Sequence, residues 1–193
     1  MNIVFATGNK NKIKEIKNLI PKTIKILSLT DIGCDKEIRE TGSTISENAI
    51  IKSNYIKKNY GYDCFSDDTG LEIDELDGKP GVFSARYAGK YSNSAKNIEL
   101  VLKNMKSIND RSAQFRTCIS LCLGNENYLF EGIVKGTITS EPRGNKGFGY
   151  DSIFKPNLSN KTFAEYTLSE KNKISHRSIA LKKLINHLIN VNL

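Results

Sequence analysis

The sequence predicts an α/β fold with mixed strands, and three observations carry that prediction. The chain opens as β-turn-α-β, its second helix carries a capping box, and two long β-rich runs flank a Gly-Asn-Glu-Asn turn. Residues 2–7 form an apolar first strand closed by Gly8-Asn9. Ile13, Ile16, Leu19 and Ile20 then recur at helical spacing across 10–20, and Pro21 marks the stop. Alternation of Ile24, Ile26 and Ser28 with Lys25, Leu27 and Leu29 predicts a second strand. A charged, turn-rich stretch (31–42) leads to a helix over 43–59, capped by Thr44-Ile45-Ser46-Glu47 and stopped by Gly61.

Two short strands are predicted at 63–66 and 71–76, with Asp67-Asp68-Thr69-Gly70 between them. A Gly-Pro-Gly loop follows, then a helix over 95–105. Runs 112–123 and 128–139 form the hairpin. The stretch 141–150 holds three glycines and reads as a loop, followed by a short strand at 151–154. A last helix over 174–189 puts Ile174, Leu181, Leu184, Ile185 and Leu188 on one face. No composition shift marks a linker, so residues 1–193 read as one domain, compact or two-lobed.

Composition excludes several classes. A hydrophobic share of 38% with only four prolines excludes a disordered or collagenous chain. No run of 18 apolar residues exists, and the opening lacks a basic, leader-like segment, so a cytoplasmic protein without membrane contact is expected. Cys34, Cys64, Cys118 and Cys122 have no CxxC spacing and are expected to be reduced and buried. The net charge of +8 comes mostly from lysine spread along the chain. That pattern suits a solvated surface or a small phosphate ligand better than a polynucleotide.

Four constellations can carry chemistry. Thr7, Gly8, Asn9, Lys10, Asn11 and Lys12 join a strand to a helix N-terminus, where exposed N–H groups and a lysine favour an anion. Neither a Walker A sequence nor GxGxxG is present. Asp67 and Asp68 fall at a strand end and point to opposite faces while the strand persists, so one of them can serve as base or metal ligand. Gly147-Phe148-Gly149-Tyr150-Asp151 holds a ring that can stack on a base or fill the core. Ser175-His176-Arg177 opens the last helix with polar groups.

Taken together these blocks resemble the inosine triphosphate pyrophosphatase family, the non-standard purine nucleoside triphosphate pyrophosphatases. The carriers are Thr7, Gly8, Asn9, Lys12 and Glu15; Glu40-Thr41-Gly42 through Glu47-Asn48-Ala49; Asp67 through Leu71; Pro80 through Tyr87; Gly147 through Asp151; and Glu170-Lys171 with Ser175-His176-Arg177. The resemblance implies an elongated mixed sheet with flanking helices, two lobes around a central cleft, and a homodimer. It implies Mg²⁺-dependent hydrolysis of ITP, dITP and XTP to the monophosphate and pyrophosphate, with Mn²⁺ as a substitute.

In that scheme Thr7 to Lys12 hold the triphosphate and Asp68 is the general base. Glu40 and Asp68 are the metal ligands. Thr69 keeps a hydroxyl in the third block. Phe148, Gly149, Tyr150 and Asp151 wall the base pocket, and Lys171, His176 and Arg177 present donors to the purine, Arg177 facing C6. Lys52 and Arg86 rank below these as phosphate contacts. A Maf-like pyrophosphatase shares the general chemistry, but the Phe-Gly-Tyr-Asp and His-Arg blocks argue against it.

Overall fold

The structure, a computed structural model, describes residues 1–90 and 93–191. Among these, six strands form one sheet: β1 (Asn2–Phe5), β2 (Lys25–Leu27), β3 (Cys64–Ile73), β4 (Ser112–Leu123), β5 (Glu126–Ile138) and β6 (Phe154–Pro156). Their order is β2-β1-β3-β4-β5-β6. β1 runs parallel to β2 and β3, and β5 runs antiparallel to β6, so the predicted mixed α/β class is borne out. Five helices accompany the sheet: α1 (Lys10–Lys17), α2 (Ile45–Tyr60), α3 (Ser94–Asn104), α4 (Leu168–Ile174) and α5 (His176–Val191). No helix among the described residues is long and apolar enough to cross a membrane.

The chain divides into two compact units. The first comprises Met1–Asp68, Thr117–Gly132 and Arg177–Leu193, and the second Thr69–Arg116 and Ile133–His176. In the first unit the alternation of β1 sorts its side chains. Ile3 and Phe5 join Phe65, Ile119 and Leu121 with Ile16 of α1 and Leu181, Leu184 and Leu188 of α5. Phe5 and Phe65 stack with centroids 4.6 Å apart. Val4 and Ala6 face the other way, towards Ile56 of α2 and the thiols of Cys34, Cys64 and Cys122. The second unit has its own core, where Leu71, Ile73, Val101, Met105, Phe115, Ile138, Phe154 and Phe163 meet. Each such side chain contributes about 1.5–3 kcal/mol on burial.

Three predicted boundaries change. The two short strands at 63–66 and 71–76 are one continuous strand, β3, running through Asp67-Asp68-Thr69-Gly70. The Asp-rich composition suggested a turn, but Asp67 and Asp68 are held by partners on either face and the strand is not interrupted. The last helix is two: α4 ends at Ile174, Ser175 is extended (ψ 152°), and α5 begins at His176. Ile174 is 38% exposed and leaves the apolar face, whereas Leu181, Leu184, Ile185 and Leu188 are buried as expected. Residues 151–153 are a turn, and β6 starts at Phe154.

The α2 capping box is present, with Thr44 accepting from the Glu47 N–H and Glu47 returning the bond to the Thr44 N–H, and Gly61 closes the helix at φ 75°. This helix lies on β3 and β4 through small residues. Ser66 Oγ donates to the Ala49 carbonyl (2.5 Å), Cys64 Sγ to the Ser53 carbonyl (3.2 Å), and the Ser53 and Ser120 hydroxyls are 2.7 Å apart. Small side chains with their own hydrogen bonds permit this close approach. Ser120→Val is therefore expected to remove the Ser53–Ser120 bond and overpack the contact, lowering stability by about 1–3 kcal/mol. A urea-unfolding midpoint below that of the wild type, at unchanged m-value, checks it.

Candidate active site

The first unit gathers a buried charge cluster around β3. Successive residues of this strand point to opposite faces, and each aspartate has a separate set of partners. Asp67 turns to α1 and α5. Its Oδ1 lies 3.0 Å from Lys12 Nζ and its Oδ2 accepts from Arg177 Nε at 2.9 Å. The second arm of Arg177, Nη1, is bonded to Glu15 of α1. Lys12 and Glu15 are three residues apart, so one helix face presents both charges. Asp68 turns to α2, where Asn48 Nδ2 is 3.4 Å from its Oδ2 and Lys52 Nζ 3.8 Å from its Oδ1. Lys52 also meets Glu40 Oε1 (2.5 Å) and the Asp67 carbonyl (2.8 Å), and that carbonyl accepts from Lys12 as well (3.2 Å).

These environments drive the two aspartates apart. Burial alone would push Asp67 up, but Lys12, Arg177 and Lys52 outweigh it and hold its carboxyl well below the usual carboxylate range. For Asp68 burial wins over the attraction of Lys52 and Lys12, and its carboxyl is raised. Lys52 is raised, even though burial opposes its charge, because Asp68, Glu40 and Asp67 all face it. An ammonium can be stabilised while one partner is not, because Lys52 sees three carboxylates and Asp68 sees Glu40 and Asp67 as like charges. Burial lowers Lys12, helped by Lys52 and Arg177.

Asn48 has a second bond that fixes its orientation: its Oδ1 accepts the Gly42 N–H at 2.8 Å. A Cβ on Gly42 would lie 2.7 Å from Glu47 Cβ and 2.8 Å from Asn48 Oδ1, so only glycine permits this approach. The Thr7–Lys12 loop is already partly capped. Asn9 Oδ1 accepts from the N–H groups of Asn11 (2.9 Å) and Lys12 (3.3 Å), and Thr7 Oγ1 accepts from the Asn9 N–H (3.2 Å). The missing side chain of Gly8 faces open space. Lys10 is exposed.

Glu40 and Asp68 converge on the one Lys52 ammonium, which makes them the hard oxygen pair available to a divalent cation. Among the described residues no group of three or more His, Cys, Asp or Glu side chains converges. A Mg²⁺ ion held here would therefore use these two carboxylates and complete its shell with substrate phosphates and water.

The second unit holds the remaining predicted residues. Thr69 begins its share of β3 and is half-buried. Asp151 Oδ2 accepts from the Phe148 N–H (2.9 Å) and from Lys171 Nζ (2.5 Å). A Cβ on Gly147 (φ 72°) would sit 2.0 Å from the same oxygen, so the loop closes on its own aspartate only with glycine there. Lys171 Nζ lies over the rings of Phe148 (5.2 Å) and Phe163 (5.4 Å). Gly149 has φ 61°. Buried Tyr150 donates its hydroxyl to the Ser84 carbonyl (2.8 Å), and burial raises its phenol. The His176 ring stacks on Phe115 with centroids 4.5 Å apart. Arg86, ranked lower, sits over the Phe83 ring.

The sequence alone ranks Lys52 below the principal residues and gives Glu15 and Asn48 no role. Asn48 and Lys52 stand four apart on α2, a spacing that was the available signal. The predicted aim of Arg177 at a purine C6 meets a geometric constraint, because Nε and Nη1 are both engaged by carboxylates.

Opposite effects on stability are expected at the two aspartates. Asp67→Asn leaves Lys12 and Arg177 with a weakened counter-charge, a loss of about 3–5 kcal/mol, or roughly 6–20 °C in Tm. Asp68→Asn removes a carboxylate whose ionised form burial disfavours, and its Tm is expected to equal or exceed that of the wild type. Because the folded Asp67 carboxyl is depressed, its contribution is complete above the unfolded value of about 3.9 and lost as pH falls towards the folded value. The Tm gap between wild type and Asp67→Asn should therefore narrow below about pH 4, which calorimetry across pH 2–7 measures.

A model of the Ham1 family matches residues 3–187. The chain is 56% identical over 189 residues to a dITP/XTP pyrophosphatase of Christiangramia forsetii, covering 97% of this chain and 99% of that one. It is 48% identical to the dITP/XTP pyrophosphatase of Bacillus subtilis, covering 94% and 93%. Among solved structures, a HAM1 protein from Coxiella burnetii superposes with TM-score 0.91 at 40% identity, covering 98% and 99%. The Staphylococcus aureus Ham1 protein gives 0.90 at 38%, with the same coverage. With the family match extending through both units, the chain belongs to the Ham1 family.

Proposed function

We propose that this protein hydrolyses non-standard purine nucleoside triphosphates (ITP, dITP and XTP) to the monophosphate and pyrophosphate with Mg²⁺, Mn²⁺ serving as a substitute. The observation that carries the reading is the clustered set of buried Asp68 and Lys52 with half-buried Glu40 and Lys12, in a chain 56% identical to a dITP/XTP pyrophosphatase. A cytoplasmic, homodimeric enzyme of nucleotide-pool cleansing fits this activity, and four buried cysteines without a disulfide support the compartment. Size-exclusion chromatography with light scattering tests the dimer.

In this mechanism Asp68 takes a proton from the water that attacks the α-phosphorus. Asn48 orients its carboxylate. Lys12 and Lys52, both fixed on the Asp67 carbonyl, present positive charge to the phosphates, and the α1 N-terminus with Thr7 to Asn11 adds donors. Held by Glu40 and Asp68, Mg²⁺ would neutralise charge developing on the pyrophosphate leaving group. For the nucleobase, Phe148 offers a ring for stacking and Lys171, fixed by Asp151, offers donors beside that ring. Tyr150, His176 and Gly149 shape that loop, and Arg177 keeps Asp67 and Glu15 in place.

The reading is tested by product analysis with ITP, dITP, XTP, GTP and ATP. Pyrophosphate and the monophosphate are expected, stopped by EDTA, whereas orthophosphate with the diphosphate would overturn it. Asp68→Asn is expected to lower turnover by about 10²–10⁴-fold without loss of fold.

Base choice follows from donors and acceptors. Hypoxanthine and xanthine carry an acceptor at C6, whereas adenine carries a donor there, and Lys171 has donors only. A mismatch of this kind costs about 1–3 kcal/mol, a tenfold to hundredfold preference. Lys171→Gln, which can both donate and accept, should narrow the ITP:ATP ratio of kcat/KM by about that factor. Phe148→Ala should raise KM for both alike. Equal losses on ITP and ATP in Lys171→Gln would remove Lys171 from base recognition.

A further inference from the structure

Beneath α2, on the opposite side of the sheet from Asp67, two thiols of the first unit meet. Cys64 lies at the start of β3 and Cys122 near the end of β4, and these strands are hydrogen-bonded neighbours. The Asp63 carboxylate accepts from the Gly124 N–H at 2.9 Å, which ties the same two strand ends together. The two thiols are neighbours in one buried cluster. Adjacent strands lie about 4.7–4.9 Å apart, inside the range of about 4.4–6.8 Å between Cα atoms that a disulfide spans.

The pair has a direction. Cys64 is 0% exposed and its thiol also reaches the Ser53 carbonyl (3.2 Å). Cys122 is 2% exposed, but its Sγ lies against the side-chain oxygens of Asn127 (2.9 Å) and Asn54 (3.4 Å). Both asparagines are exposed, so Cys122 sits one side chain below the surface. Cys34 and Cys118 are placed differently. Cys34 Sγ lies 3.9 Å from the Lys36 carbonyl, and Cys118 Sγ points at Glu131 Oε1 (3.8 Å).

We propose that Cys64 and Cys122 form an oxidisable dithiol site, which closes to an intramolecular disulfide when hydrogen peroxide reaches Cys122. The Cys122 sulfur, as thiolate, attacks the peroxide. An S–O bond forms, the O–O bond breaks, and the departing hydroxide takes a proton to leave as water. The Cys64 sulfur then attacks the sulfenic sulfur of Cys122. The S–S bond forms, the S–O bond breaks, and the hydroxide leaves as a second water with the Cys64 proton. Two thiols are oxidised and one peroxide is reduced to two waters. The Cys64 thiol beside it holds the Cys122 thiol below its ordinary value, and Cys122 together with burial pushes Cys64 up, which suits Cys122 as the attacking group.

The test is made on the folded wild-type chain, treated with about a tenfold excess of hydrogen peroxide and then alkylated in denaturant. The expected result is a mass loss of about 2 Da, two alkylatable cysteines where the reduced protein has four, and one cross-linked peptide joining Cys64 to Cys122. Dithiothreitol should restore all four. Cys122→Ser should abolish the cross-link, while Cys34→Ser and Cys118→Ser should leave it intact. Retention of four alkylatable thiols under this treatment, oxygen addition without a cross-link, or a cross-link through Cys34 or Cys118 would overturn the proposal. The wild-type measurement decides it even if Cys122→Ser does not fold.

Discussion

The buried carboxylate of Asp67 is the constraint on which the first unit's charge cluster depends. One side-chain oxygen faces Lys12, the other Arg177, and its own backbone carbonyl accepts from Lys12 and Lys52. These contacts draw α1, α2 and α5 onto a single residue of β3. Burying three cations beside one another is unfavourable unless anions are interleaved, and Asp67 with Glu15, Asp68 and Glu40 supplies them. Seven charged groups, three basic and four acidic, leave a surplus of one negative charge. That surplus would suit the divalent cation proposed above.

The geometry around Asp68 is set by how closely α2 approaches the sheet. Ala49 and Ser53 on the helix meet Cys64, Ser66 and Ser120 on the strands, and each polar group in the contact is hydrogen-bonded. Larger side chains would lift the helix. Asn48 and Lys52 would then no longer reach Asp68 and the Asp67 carbonyl, because an amide and an ammonium on one helix face have little spare length. Gly42 extends the same logic to the start of α2, where any side chain would collide with Glu47 and Asn48. Close packing and chemistry are therefore one requirement here. The same thin interface places Cys64 and Cys122 in contact.

In the second unit the organising device is a loop that closes on its own aspartate. Asp151 accepts from the Phe148 N–H and from Lys171, and the left-handed Gly147 leaves room for the carboxylate. Phe148 is thereby presented half-buried with an ammonium over its ring, in place of collapsing into the core. Ionic pairing, backbone conformation and ring placement support one another. The His176 ring completes the aromatic cluster of Phe115, Phe154 and Phe163 beneath that loop.

Local and periodic features were legible in the sequence alone. The mixed α/β class, the α2 capping box with its Gly61 stop, the hairpin strands and the apolar face of Leu181, Leu184, Ile185 and Leu188 depend on neighbours a few residues away, and the ordered motif blocks identified the family. The tertiary structure decided what depends on distant partners. β3 runs unbroken through Asp67 and Asp68 because groups on separate helices bind each carboxylate from its own face, a compensation that turn propensity does not contain. Asp67 differs from Asp68 in proton affinity for the same reason. Arg177 shows the limit most plainly. Its residue type and position in a helix opening suggested a donor for a ligand, but a guanidinium goes to the nearest buried carboxylates, and only folding determined that these are Glu15, 162 residues away, and Asp67, 110 residues away.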